Sequence, residues 1–411
     1  MIVEGASVAK RRSLFTAGAL LCIPLLACGA SAEGDLGSES LAVSGRNARS
    51  LNIGFGGAGT APGDDPFQFK AMQTFFKASV VQPGAHICHR YLSWDIGLLP
   101  AGDGEVADSS SRANFEKWLS DPSNPCTDAL ISFKSAGDTA GVAPRDFHDV
   151  AGCKTCFGTA FHAFLDQFTT RWEQSAPGRV FSFTAWNEPN NGGPSGNGIG
   201  HALSAITSGQ YYLMAQHLCE TDASNCKVAA GDLASNGTMI DNFQQNCSSD
   251  VGDALCAQAS WLDEYKHFIA HHATDPAFQL RAGFRPGYWA YHPWQEINNY
   301  VTHGDECTDD AKCATKALLH SLGGTWSAAH IWDTEIGSGQ NEALDDRTQA
   351  RGAAYILELS SSLTDRIWRI YYQGVETGPW QILCGANERP SFHVLAERLT
   401  SYTGGETHTC N

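Results

Sequence analysis

From residue 51 onward the chain alternates short apolar runs with longer amphipathic stretches. The apolar runs are "LNIGFG" (51–56), "ICHRYLSW" (87–94), "ALISFKS" (129–135), "VFSFTAW" (180–186), "KVAAGD" (227–232), "PGYWAYHPW" (286–294), "AAHIWDTEIG" (328–337) and "RIWRIYYQG" (366–374). Their β-branched and aromatic content, with Gly, Pro, Asn, Asp or Ser at the ends, predicts eight strands. Between them lie helical patterns over 158–172, 210–219, 259–272, 311–322, 347–362 and 389–399. The first is the clearest: Phe161, Phe164, Leu165, Phe168 and Trp172 recur at spacings of three and four, an apolar stripe along one helix face.

Strand–helix alternation carried through eight strands predicts an α/β protein, a (β/α)8 TIM barrel over residues 49–405 with a short C-terminal tail at 406–411. An open doubly wound sheet would show the same alternation; the strand count and the acids at strand ends favour the closed barrel. The domain exceeds the ~250 residues usual for this fold, and the surplus is assigned to disulfide-stapled loops. No period of 20–50 residues repeats, which excludes a solenoid.

Ahead of the domain, Lys10-Arg11-Arg12 precede an apolar run from Ala17 to Ala27. This reads as a bacterial signal peptide over 1–32, too short to span a membrane, with a twin-arginine pattern at Arg11-Arg12. Two processing sites compete. Leu25-Leu26-Ala27-Cys28 resembles a lipobox that would leave a lipid anchor on Cys28, and Ala30-Ser31-Ala32 resembles an ordinary cleavage site. Either makes the protein extracytoplasmic, secreted or membrane-anchored, with 33–48 as a flexible linker. Of the 14 cysteines, 12 remain once Cys22 and Cys28 are set aside, and an oxidising compartment would pair them. Several lie close in sequence, where local pairing would staple surface loops, though the sequence does not fix connectivity: Cys153 and Cys156, Cys219 and Cys226, Cys247 and Cys256, and Cys307 and Cys313. A formal charge of −17 argues against nucleic acid and anionic membrane as partners, and no protein partner is implied.

Two acids stand where barrel enzymes place reactive side chains, at the C-terminal ends of strands. Glu188 follows the fourth strand in "VFSFTAWNEPNN", and Glu335 ends the seventh in "DTEIG". Facing carboxyls, one protonated and one ionised, are what glycoside hydrolysis requires. The motifs Trp186-Asn187-Glu188-Pro189-Asn190, His292-Pro293-Trp294, Thr334-Glu335-Ile336-Gly337 and Arg389-Pro390 occur in the order found in clan A retaining glycoside hydrolases. The chain most closely resembles glycoside hydrolase family 39 and its neighbours, over residues 49–400.

The resemblance implies a retaining hydrolase of β-linked glycans or β-glycosides, with a carbohydrate as its partner. It implies Glu188 as acid/base, Glu335 as nucleophile and Asn187 as the reader of the sugar 2-hydroxyl. Arg90 would hold Glu335 ionised, and His292 would line the site. The chain departs from the family in having Trp294 where a tyrosine bonds the nucleophile; Tyr291 has the wrong parity to replace it. Either another donor takes the tyrosine's place, or the substrate stacks on Trp294 as a platform. The family's eighth-strand aromatic corresponds to Tyr371, Tyr372 or Trp380, with Tyr372 and Trp380 as the binding candidates. Trp94, Trp186 and Trp289 stack on sugar or pack in the core. Asp333 is expected to share the inward face of the seventh strand and to pair with an interior cation, and Asp232 is a subsite candidate. A second function fits the same sequence: a catalytically silent carbohydrate-binding barrel displayed as a surface lipoprotein.

No cofactor or metal is expected. "GFGGAG" (54–59) matches a dinucleotide fingerprint, but Thr60 to Pro66 read as loop where the fingerprint needs a helix. Cys153 and Cys156 lack a second pair at zinc spacing, and His89, His271, His272 and His292 lack ligand partners at suitable intervals.

Overall fold

A computed structural model describes residues 51–403 except 57–67, 80–85, 99–108, 136–142, 191–202, 223–225, 236–260, 305–306, 308–312, 338–344, 363–364, 374–380 and 385–386. The signal peptide, Cys28, the linker, the tail at 406–411, the Cys247–Cys256 pair, the loop after Gly56 and Trp380 therefore lie outside the described residues.

Eight parallel strands close into a barrel in sequence order. They are β1 (Asn52–Gly56), β2 (Ile87–Ser93), β3 (Asp128–Lys134), β4 (Val180–Thr184), β5 (Lys227–Ala234), β6 (Tyr288–His292), β7 (His330–Ile336) and β8 (Ile367–Gln373). Pairing of β8 with β1, from Asn52 opposite Arg369 to Gly56 opposite Gln373, completes the closure. This is a TIM barrel, not an open sheet.

The helices among the described residues are α1 (Phe69–Ala78), α2 (Ser109–Ser120), α3 (Phe157–Phe164), α4 (Thr170–Ser175), α5 (Ala205–Asp222), α6 (Trp261–His272), α7 (Trp294–His303), α8 (Ala314–Ser321), α9 (Asp346–Ser362) and α10 (Pro390–Glu397). The hydrophobic pattern missed α1 and α2. It also carried the sixth strand too far: Pro293 has no N–H to extend the ladder, so the strand stops at His292 and α7 begins at Trp294.

The predicted aromatic stripe is buried along α3, a π-helical turn (Leu165–Thr169) and α4. Phe161 and Phe164 meet Phe133 on β3 edge-to-face, and Trp172 stacks on Phe181 of β4 at 5.6 Å. Each fully buried aromatic of this kind contributes roughly 1.5–3 kcal/mol. Trp94, Trp186 and Trp289 join this outer core between sheet and helices rather than lining a sugar site.

Alternate residues of each strand fill the barrel interior in layers. At the bottom, Arg369 donates to Asp128 at 2.6 Å and sits 4.4 Å over the Trp332 ring. Above lies an apolar layer that includes Ile87, Leu130, Ala229, Ala290 and Tyr371. Above that, the interior turns polar with His89, Ser132, Thr184, Asp232, His292 and Thr334, all buried. Glu188, Glu335, Tyr91 and Gln373 sit at the mouth.

Three expected disulfides are present: Cys153–Cys156, Cys219–Cys226 and Cys307–Cys313. A fourth, Cys88–Cys126, spans 38 residues and ties β2 to the approach to β3. Among the described residues no helix is long and apolar enough to cross a membrane.

Candidate active site

Glu188 reaches the mouth through an unusual backbone. Strand β4 stops at Thr184, and the chain then holds on through Asn187 N–H to Phe133 O (2.8 Å) and Glu188 N–H to Asp232 O (2.9 Å). The following proline disfavours right-handed helical angles. Glu188 adopts left-handed ones instead, with φ 49°, which a non-glycine residue holds only under constraint from its surroundings.

Asp232 is brought into the barrel by a bulge. The β5–β6 register shifts between Gly231 and Leu233, and Gly231 and Asp232 both have positive φ, 91° and 65°. Without the extra residue, alternation from Ala229 would send Gly231 and Leu233 inward and Asp232 out. Asp232 is instead fully buried. It accepts hydrogen bonds from Ser132 (2.8 Å), Thr184 (2.8 Å) and Thr334 (2.5 Å). It is an interior hub rather than the subsite residue expected from its place after the strand.

A second register shift, between Asp333 and Ile336, places both Thr334 and Glu335 on the barrel side. Asp333 does not share that face. It points to the helix layer and accepts from Ser360 of α9 at 3.0 Å, so the expected interior pairing is corrected. Burial there pushes its carboxyl up to about 7.

His292 joins the acids. Its Nδ1 lies 3.0 Å from Glu188 Oε1 and 3.6 Å from Glu335 Oε2, and its Nε2 lies 3.0 Å from Asp232 Oδ1. With carboxyl groups at both nitrogens, the ring donates from both when it is protonated. Burial opposes that charge, but Asp232 and Glu335 hold the His292 pKa well above the ordinary histidine range. Burial would likewise raise Asp232, yet the His292 charge and hydrogen bonds bring it down to about 2. His89, buried against Ser132 at 2.7 Å, is pushed down to about 4 and stays neutral.

The oxygen environment of Glu335 differs from expectation. Tyr91 donates to Glu335 Oε2 at 2.6 Å, and Gln373 Nε2 donates to Tyr91 at 3.1 Å. Burial pushes Glu335 above the usual carboxylate range and the Glu188 charge adds to this, while His292 and Tyr91 oppose it. Burial and the neighbouring carboxylates push Tyr91 far upward, so it remains a donor. The hydroxyl that Trp294 lacks is thus supplied from β2.

Arg90 does not approach Glu335. The inward residues of β2 are Ile87, His89 and Tyr91, and alternation turns Arg90 into the helix layer, 5.8 Å over the Trp118 ring of α2. Tyr372 is also on the outer side, in the core beneath the helices; Gln373 is the β8 residue that reaches the mouth. Tyr291 points outward as parity required, donating to Glu296 at 2.7 Å. Trp294 is buried at the first position of α7. Asn187 is fully buried, and its amide finds no hydrogen-bond partner among the described residues. At Gly56, within the fingerprint-like run, an added Cβ would lie 2.5 Å from Gln373 Nε2, the end of a side chain that would have to shift.

Sequence reasoning missed Tyr91, Gln373 and the hub role of Asp232. Parity could have found the first two: Tyr91 is two residues from His89, and Gln373 two from Tyr371. The bulge at Asp232 left only Gly231 as a signal.

Glu188, His292 and Glu335 offer one atom each within 4.8 Å of one another, close enough to share an ion. With the ring protonated, the same trio is an acid–cation–acid cluster. Glu296, Cys307 and Cys313 are similarly close, but the two sulfurs are joined in a disulfide.

No protein-family model matches the chain, and no curated protein matches its sequence. The chain is similar in structure to a conserved exported protein from Bacteroides fragilis (TM-score 0.49, 10% identity, 86% of this chain and 75% of that one). It is also similar to a glycoside hydrolase family 5 enzyme from Prevotella bryantii (0.46, 12%, 86% and 96%). A third similar structure is the glycoside hydrolase family 44 endoglucanase from Clostridium thermocellum (0.43, 12%, 70% and 70%). What fold and site define together is a TIM barrel with a paired-carboxylate mouth.

Proposed function

We propose that this protein is an exported retaining glycoside hydrolase of the clan A type, nearest family 39 and its neighbours, acting on a β-linked glycan or β-glycoside. One observation carries the reading: Glu188 and Glu335, 147 residues apart in sequence, face each other across His292 with an oxygen of each within 4.8 Å. A nearest-oxygen approach of that size is compatible with the ~5–5.5 Å between the carboxyl groups of retaining enzymes.

In this reading Glu335 attacks the anomeric carbon as the bond to the leaving oxygen breaks, and Glu188 gives that oxygen its proton. Glu188 then takes a proton from water, whose oxygen displaces Glu335 and releases the sugar with retained configuration. His292 and Tyr91 oppose the upward push of burial on Glu335, and Tyr91 aims it before attack. Glu188 can accept from His292 on Oε1 while carrying its proton on Oε2. Asn187, whose amide finds no partner among the described residues, is the reader of the sugar 2-hydroxyl. The signal sequence and disulfides support an extracytoplasmic location, with Cys28 as a lipid anchor if the lipobox is used.

The test is a panel of aryl β-glycosides and polysaccharides assayed with wild type, Glu335→Gln and Glu188→Ala. The expected result is turnover of at least one substrate by wild type and its loss in Glu335→Gln, with the circular dichroism spectrum unchanged. Binding without turnover across the panel would support the silent carbohydrate-binding barrel instead. The feature that favoured that rival, Trp294 in place of tyrosine, loses force because Tyr91 supplies the hydroxyl.

A further inference from the structure

We infer that Asp232 is a positioning residue for Glu188, acting both through its own backbone and through His292. The inference rests on the hydrolase reading for its kinetic consequences but not for its structural ones.

Asp232 grips Glu188 at both ends. Its carbonyl accepts the Glu188 N–H at 2.9 Å, and its carboxylate accepts from His292 Nε2 at 3.0 Å, while His292 Nδ1 lies 3.0 Å from Glu188 Oε1. The first contact helps hold Glu188 in its left-handed conformation. The second fixes the ring that fixes the carboxyl. Both depend on the bulge at Gly231, because a regular strand would turn Asp232 out of the barrel.

The remaining lone pairs of Asp232 are occupied, so the carboxylate has little freedom to turn. Ser132 from β3, Thr184 from β4 and Thr334 from β7 all donate to it. Three strands thus aim one carboxylate at one imidazole. The titratable groups around His292 are Asp232 on β5, Glu188 after β4, Glu335 and the outward Asp333 on β7, and His89 and Tyr91 on β2. Among them Asp232 is the fully buried carboxylate hydrogen-bonded to the ring. A buried imidazolium whose buried counter-charge is removed should lose its proton.

During the reaction the imidazolium sits beside Glu188 as that residue gives up its proton. It therefore favours the carboxylate that acid catalysis leaves behind, and it does so without forming or breaking a bond itself. This differs from a merely structural role, which would alter stability without altering proton affinity at the site.

The experiment has two readouts. In the wild-type protein, long-range proton–nitrogen NMR of the histidine side chains, with His292 assigned by comparison with His292→Gln, should show a doubly protonated ring throughout pH 6–8. In Asp232→Asn the ring should be neutral at pH 8. A neutral His292 in wild type at pH 7, or an unchanged His292 titration in Asp232→Asn, would overturn the inference even if no substrate were known. On a substrate found by the panel, Asp232→Asn should move the basic limb of the kcat/KM profile to higher pH. It should slow glycosides with poor leaving groups by roughly tenfold or more, and those with activated leaving groups by less than about threefold. Equal loss on both classes with an unmoved profile would reduce Asp232 to a structural residue. If the variant does not fold, the wild-type NMR measurement decides alone. Absence of any turnover would sink the hydrolase reading and leave the imidazolium result standing.

Discussion

Tyr91 and Glu335 share a 2.6 Å hydrogen bond inside a buried mouth, and its donor comes from β2 rather than from the sixth strand. Tyr91→Phe removes the donor and keeps the ring. A hydrogen bond to a charged group contributes about 1.5–3 kcal/mol, so kcat/KM should fall roughly 10- to 100-fold, mainly in kcat; an unchanged kcat would separate Tyr91 from the nucleophile. Asp333 provides a second residue-scale test. Its folded pKa of about 7 lies above the ~3.9 of an unfolded aspartate. Stability from its protonated form is therefore full below about pH 4 and lost as pH rises through about 7. Asp333→Asn should flatten that decline, measured by urea unfolding between pH 4 and 9; an identical slope in wild type and variant would contradict the buried, protonated state. At this scale the acids were legible because they close apolar runs. Arg90 and Tyr372 were misplaced because the end of a strand was read without its alternation. Each lies one residue from the side chain that faces the site, Tyr91 and Gln373.

At the scale of elements, two register shifts turn side chains toward His292. The one in β5 depends on Gly231, whose φ of 91° is costly for any other residue and whose added Cβ would lie 3.1 Å from Ala290 O. Gly231→Ala should destabilise the fold by about 1–3 kcal/mol and lower activity more than stability alone explains, because Asp232 loses its aim. Activity retained at wild-type level with the fold weakened would show that the bulge does not position the acid. The hydrophobic period located all eight strands, since β-prone runs between turn residues survive any choice of face. It could not locate the bulges, because one inserted residue reverses the face of everything after it and leaves composition unchanged. Helices α1 and α2 were missed for a related reason: α2 opens with Ser109-Ser110-Ser111, which reads as loop until the chain is folded.

For the whole molecule, closure by β8 on β1 brings residues from β2, β4, β5, β6, β7 and β8 to one mouth, and no local pattern encodes that convergence. The same holds for Cys88–Cys126. Closeness in sequence hinted at local bridges, but this one joins residues 38 apart that meet only once β2 and β3 lie side by side. Closing a loop of that length constrains the unfolded chain by about 4 kcal/mol. A Cys88→Ala/Cys126→Ala variant should therefore unfold at clearly lower urea concentration, and an unchanged midpoint would show that the bridge adds nothing to stability. The proposed hydrolase depends on a covalent step at Glu335. Incubation with activated 2-deoxy-2-fluoro β-glycosides, followed by peptide mass spectrometry, tests it most directly. One fluorosugar is expected on the peptide containing Glu335, and none in Glu335→Gln. A label on another residue, or release of product with inverted anomeric configuration, would contradict it.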